Sequence, residues 1–113
     1  MDAHVLDSRR REILRSILAA YSHQIDKVAV FGSHATGRAR ANSDIDLVIY
    51  GKLPDGALER LWTHFDDSNL PVKVDIVAYD ADLYPPLKRH IDTVAVTLFT
   101  RDDLLPARSA HAA

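Results

Sequence analysis

Three aspartates, Asp44, Asp46 and Asp75, lie within runs of residues that favour strands. Aspartate is depleted in strands, so three such insertions ask for a chemical reason. Asp44 and Asp46 are two apart, and side chains two apart on an extended strand leave the same face. Their Cα atoms would stand about 6.5 Å apart. Two carboxylates at that spacing repel unless a cation lies between them, and oxygen-only ligands suit magnesium or manganese. A second feature is Gly32-Ser33, directly after the apolar run 27–31. Glycine lets backbone approach a ligand closely. Free N–H groups at a helix start, together with the serine hydroxyl, form an anion site. A Gly-Ser pair alone is a common turn. Its weight comes from Asp44-x-Asp46, which begins after ten intervening residues, at the next apolar run.

These groups need elements to hold them. Leu6, Ile13, Leu14, Ile17, Leu18 and Tyr21 recur at helical spacing, with Asp7 or Ser8 as cap. Arg9, Arg10 and Arg11 then fall in the first turn and read as solvated surface. Residues 27–31 form a first buried strand, 33–40 a short helix and polar loop, and 45–50 a second strand stopped by Gly51. Pro54 suits a helix start. Ala57, Leu58, Leu61, Trp62 and Phe65 continue as one apolar helical face, so Trp62 and Phe65 are expected in the core. Residues 72–79 form the third strand, Pro85-Pro86 opens a last helix, and 96–99 reads as a short closing strand. The order predicts a small α/β (α+β) domain: a mixed sheet of three to four strands flanked by helices. Ser33 and Asp44 meet only if the first two strands are antiparallel. Asp75 joins them if the second and third are parallel, with the helix at about 56–68 as the crossover. Residues 1–105 are expected to be one domain and 106–113 a disordered tail.

Composition narrows the classes. The chain has 113 residues and a formal net charge of −2. It therefore lacks the basic excess of a protein that coats phosphate backbones, and a nucleic-acid partner is not expected. There is no cysteine, so no disulfide, thiolate metal site or cysteine nucleophile. No apolar run approaches the roughly 18 residues of a membrane span, and Met1-Asp2-Ala3-His4 is unlike a secretory leader. A cytoplasmic setting is expected.

The segment from Gly32-Ser33 through Asp44-Ile45-Asp46-Leu47 resembles the GS-x10-DxD signature of the polymerase-beta-like nucleotidyltransferases. Val74-Asp75-Ile76-Val77 is similar to the strand that carries their third aspartate. Within that superfamily the size is similar to the minimal nucleotidyltransferases, many of which act as antitoxins of HEPN-domain ribonuclease toxins. The resemblance implies that Gly32 and Ser33 hold the phosphates of ATP. It implies that Asp44 and Asp46 bind two magnesium ions, with manganese an alternative. It also implies that Asp75 binds one ion and helps deprotonate the acceptor hydroxyl, a tyrosine of the toxin. Two departures stand out: Thr93-Val94-Ala95 where glycine is frequent, and His34 where arginine is frequent.

Other residues admit two readings. Ser43 either orients Asp44 or caps its turn. Arg38, like Arg40, contacts the triphosphate or is a solvated loop residue. Lys73 pairs with Asp75 or contacts phosphate. His4, His23, His64, His90 and His111 lack metal-ligand spacing and read as surface or capping residues. The leading function is a protein adenylyltransferase acting as an antitoxin. The alternatives are an antitoxin that occludes its toxin without chemistry, and a small-molecule nucleotidyltransferase similar to the aminoglycoside-modifying enzymes.

Overall fold

A computed structural model describes residues 6–105. Helix α1 (Ser8–Leu18) runs through a 3-10 turn into strand β1 (Ile25–Phe31). One helical turn, α2 (Ser33–Thr36), leads by a loop to β2 (Ile45–Gly51). Helix α3 (Ala57–Asp66) crosses over to β3 (Val74–Tyr79). Helix α4 (Pro85–Val94), β4 (Val96–Thr100) and the short α5 (Arg101–Leu104) complete the chain. The four strands form one sheet in the order β3-β2-β1-β4. The β1–β2 and β1–β4 pairs are antiparallel, and β2–β3 is parallel. The strand directions required to gather the aspartates are therefore the ones observed.

Strand alternation divides the interior in two. Ile45, Leu47 and Ile49 of β2 join Val28 and Val30 of β1 in a cluster with Leu14, Leu18, Leu61 and Phe65 of α1 and α3. On the alternate positions, Ala29, Phe31 and Val48 pack with Ile91 of α4. Asp46 shares its parity with Val48, so its carboxylate leaves the sheet on the α4 face. Beyond Val48 on that face, Tyr50 and Tyr79 stack at 4.7 Å between centroids, and the Tyr79 hydroxyl donates to Asp92 Oδ1 of α4 at 2.7 Å.

Several expectations need correction. Trp62 is 45% exposed, whereas Phe65 is buried. The buried stripe of α3 is Ala57, Leu61 and Phe65, four residues apart, and Trp62 falls beside it. Pro54 precedes the helix instead of opening it. Its carbonyl accepts the Ala57 N–H at 3.1 Å, and Gly56 caps α3. The first-turn arginines are not merely solvated: Arg10 Nη2 donates to the Ala41 carbonyl at 3.0 Å, and the Arg11 guanidinium lies 5.3 Å from the Phe99 ring centre. Asp7 is the α1 cap and accepts the Arg10 N–H. Helix α5 was not expected, although Thr100 and Asp103 form a reciprocal capping box that a Thr-x-x-Asp pattern announces. The tail 106–113, His4 and His111 lie outside the described residues.

Ile91 is fully buried and is the anchor of α4 on the sheet. Ile91→Ala should cost about 2–4 kcal/mol, as large-to-small core changes do. A urea titration followed by far-UV dichroism checks this, and a lower midpoint with an unchanged m-value is the expected result.

Candidate active site

The site is built on one rung of the sheet. Phe31 of β1 pairs with Asp46 of β2, and Asp46 pairs with Asp75 of β3. With strands about 4.8 Å apart, Asp46 and Asp75 are immediate neighbours. Asp44 lies one residue before β2 begins, so it is an exposed loop-end residue and not a strand residue. It is still close enough for its charge to act on Asp46. The Asp46 carboxyl is pushed above the usual carboxylate range, first by burial, then by the negative charges of Asp75 and Asp44. His90 of α4 opposes that shift.

Gly32 closes the other side. Its backbone, at φ +71° and ψ −146°, occupies a region that is almost exclusive to glycine. A Cβ there would overlap Asp46 Oδ2 and come within 3.3 Å of Asp46 Cγ. The backbone after β1 therefore lies directly against the Asp46 carboxylate. The Gly32 carbonyl accepts the Ala35 and Thr36 N–H groups at 3.0 and 3.2 Å. The N–H groups of Ser33 and His34, first in the turn, have no intrahelical acceptor. A single turn has little macrodipole, so anion binding would rest on these N–H groups and the half-buried Ser33 hydroxyl.

The remaining expected residues fall into place unequally. Ser43 caps its turn: its Oγ accepts the Arg40 N–H at 2.8 Å and its own N–H donates to the Arg40 carbonyl at 2.9 Å. Arg38 is exposed, and its backbone N–H donates to the Ser33 carbonyl at 3.0 Å. Lys73 pairs with Asp75, Nζ to Oδ1, at 3.6 Å. Both partners of that pair are well exposed, so it is weak and easily opened. His34 is half-buried in the loop. Burial, with a smaller contribution from Arg10, holds its imidazole below its usual value against a backbone hydrogen bond with Ser43, and its Nε2 is buried without a partner.

Sequence reading gave His90 only a surface role; it is exposed, but its place near Asp46 was not foreseen. It packs edge-on against Phe31 at 6.3 Å and reaches the Asp46 side of the sheet. No spacing rule could find it, because only the packing of α4 across the sheet brings it there. The next residue, Ile91, is the sole local signal, since it fixes which side of α4 turns inward.

No three His, Cys, Asp or Glu side chains among the described residues converge into a closed metal site. Magnesium does not need one. It is commonly held by one or two carboxylates, with waters and substrate phosphates completing an octahedron. Mutually repelling carboxylates beside a glycine turn suit that incomplete, nucleotide-dependent mode. A cavity of about 400 Å³ lies at the far end of β2 and β3 around Gly51, Pro54, Gly56 and Asp80. It contains none of the three aspartates.

Residues 12–104 match the family described as Polymerase beta, Nucleotidyltransferase. No curated protein matches the chain. A crystal structure of a toxin–antitoxin with AMP-PNP is similar, with TM-score 0.65 and 22% identity over 90% of this chain and 86% of that one. A mutant of the toxin–antitoxin MntA-HpeT, with two aspartates two positions apart changed to glutamate, gives 0.63 and 20% over the same shares. A Sulfolobus solfataricus protein assigned as a nucleotidyltransferase gives 0.52 and 20%, covering 90% of both chains.

Two outcomes test this geometry. Gly32→Ala should abolish binding of AMP-PNP with magnesium in calorimetry, because the added methyl cannot coexist with the Asp46 carboxylate as placed. Asp46→Asn should leave the ligand-free protein at least as stable as wild type at pH 7. A raised folded-state value means that the unfolded chain loses its proton first, so ionised Asp46 subtracts from stability at neutral pH. The difference in melting temperature should shrink as the pH falls towards about 4.

Proposed function

We propose that this chain, which belongs to the polymerase beta nucleotidyltransferase family, transfers AMP from ATP to a tyrosine hydroxyl of a protein partner. The partner in this reading is a HEPN-domain ribonuclease toxin, and the chain is its cytoplasmic antitoxin. The observation that carries the reading is the rung itself: Gly32 pressed on Asp46, and Asp46 paired with Asp75. Support also comes from the similar folds, one studied with AMP-PNP and one altered at two aspartates with the spacing of Asp44 and Asp46.

The roles in this reading are those the family resemblance implies. Ser33 and the first N–H groups of α2 hold the β- and γ-phosphates. Asp44, Asp46 and Asp75 present oxygens to magnesium. Magnesium, when bound, neutralises the phosphates and stabilises both the attacking and leaving oxygens of an in-line displacement. Asp75, at the open edge of the rung, takes the proton of the tyrosine hydroxyl. The hydroxyl oxygen bonds to the α-phosphorus, the bond from that phosphorus to the α–β bridging oxygen breaks, and pyrophosphate departs towards Ser33. In this reading Arg38, in the exposed loop after α2, meets its charge. An AMP group on the toxin adds bulk and negative charge, both of which oppose RNA entry.

Intact-mass spectrometry of the partner after incubation with ATP and magnesium tests the reading. One or more AMP additions are expected, with the rate reduced at least about 100-fold by Asp46→Asn. A toxin neutralised in cells equally well by Asp46→Asn would instead establish occlusion without chemistry.

A further inference from the structure

The sheet fixes two of the three aspartates and leaves the third to other means. Asp46 and Asp75 are paired residues of β2 and β3, but that pairing starts at Ile45, so Asp44 lies outside it. Asp44 is held through the residue before it. The Ser43 carbonyl and the Asp44 N–H belong to one planar peptide unit, so whatever grips that carbonyl orients the chain into Asp44. The Ser43 N–H donates to the Arg40 carbonyl at 2.9 Å, and the Ser43 Oγ accepts the Arg40 N–H at 2.8 Å. The His34 imidazole also bonds to the Ser43 backbone. With the Ser43 N–H already given to Arg40, the acceptor of that bond is the Ser43 carbonyl and the imidazole is the donor.

The other end of this link is the anion turn. His34 directly follows Ser33 in α2. Its Nε2 is buried without a partner, so the donor to Ser43 is Nδ1. A proton on Nε2 would bury a second N–H with nothing to accept it, which keeps the ring neutral. An arginine at this place would bring a permanent charge on a long, mobile stem. The imidazole is instead a short, stiff, uncharged connection between the turn and the peptide that carries Asp44. Arg10 braces the same loop from α1, but at the Ala41 carbonyl, further from Asp44. We propose that His34 is the positioning residue for Asp44: through the Ser43 carbonyl it sets the distance between the Ser33 turn and the Asp44 carboxylate. That distance is the one a divalent ion must span when it joins a phosphate to the protein. The assignment rests on the nucleotidyl transfer reading above. It adds that Asp44, unlike Asp46 and Asp75, owes its place to a side chain and not to strand register.

Two readouts on the full chain test the link. Long-range nitrogen–proton spectra of the ligand-free protein at neutral pH report ring tautomers, and the His34 signals are identified by their loss in His34→Asn. The Nδ1–H tautomer is expected, and an Nε2–H tautomer would overturn the proposal, whether or not other variants fold. The second readout is calorimetry of manganese titrated into the protein with saturating AMP-PNP. His34→Asn keeps an amide donor near the place of Nδ1, whereas His34→Gln carries it out to the place of Nε2. His34→Gln should raise the manganese Kd about tenfold, as the loss of a group that orients a metal ligand does, and His34→Asn should restore most of the affinity. The effect of His34→Gln should vanish in an Asp44→Asn background, because it acts through Asp44, and persist in an Asp75→Asn background. Equal affinities in His34→Asn and His34→Gln, or a full tenfold loss on top of Asp44→Asn, would contradict the link. Wild-type binding of manganese and AMP-PNP that His34→Gln leaves unchanged overturns the role of His34 alone. A wild type that binds no manganese with AMP-PNP overturns the transfer reading beneath it as well.

Discussion

The backbone register of β2 holds Asp46 where its charge is least welcome. The parallel pairing with β3 fixes Asp75 beside it, and the antiparallel pairing with β1 brings Gly32 against it. Main-chain hydrogen bonds fix the backbone of Asp46 and Asp75, so the two residues stay neighbours whatever rotamers their carboxylates adopt. Burial and two neighbouring negative charges raise the cost of ionising Asp46. That cost is a standing preference for a cation. The fold stores it in a sheet whose two faces are stabilised elsewhere, by α1 and α3 on one side and α4 on the other.

The same constraint gives the site its polarity. The glycine turn lies on the β1 side, which is interior to the sheet, and Asp75 lies on the β3 side, which is an edge. A ligand spanning the rung is enclosed at one end and open at the other. The loop before β2 is tied down by Arg10 to Ala41 and by the turn that Ser43 closes, so the enclosed end is braced by α1. The open end carries the weak, exposed Lys73–Asp75 pair.

Much of this was legible in the sequence, for a definite reason. Apolar runs interrupted by aspartate report both a strand and a demand for chemistry, and the offset from Ser33 to Asp44 restricts the strands to one arrangement. The parallel β2–β3 pair followed from needing Asp75 at the same end, and the crossover helix was visible in its periodicity. The failures share a different cause. Trp62 looked like core because helical spacing defines a stripe only to within one residue position, and α3 buries Ala57, Leu61 and Phe65 instead. His90 read as a surface residue and is exposed, but its place beside Asp46 was not legible because it comes from packing between distant elements. Asp44, expected to share one extended strand face with Asp46, falls just outside β2, because the pairing with β3 starts at Ile45, a boundary set by the partner strand and not by local preference.

The central claim is that this rung, and not another part of the molecule, receives the metal and the phosphates. A crystal structure of the protein with AMP-PNP and manganese, read by anomalous scattering, addresses it directly. The account predicts manganese about 2.0–2.5 Å from carboxylate oxygens of Asp46 and at least one of Asp44 and Asp75, with the nucleotide phosphates against the Ser33 turn. Manganese and phosphates in the cavity around Gly51 and Gly56, with no anomalous peak beside Asp46, would contradict it.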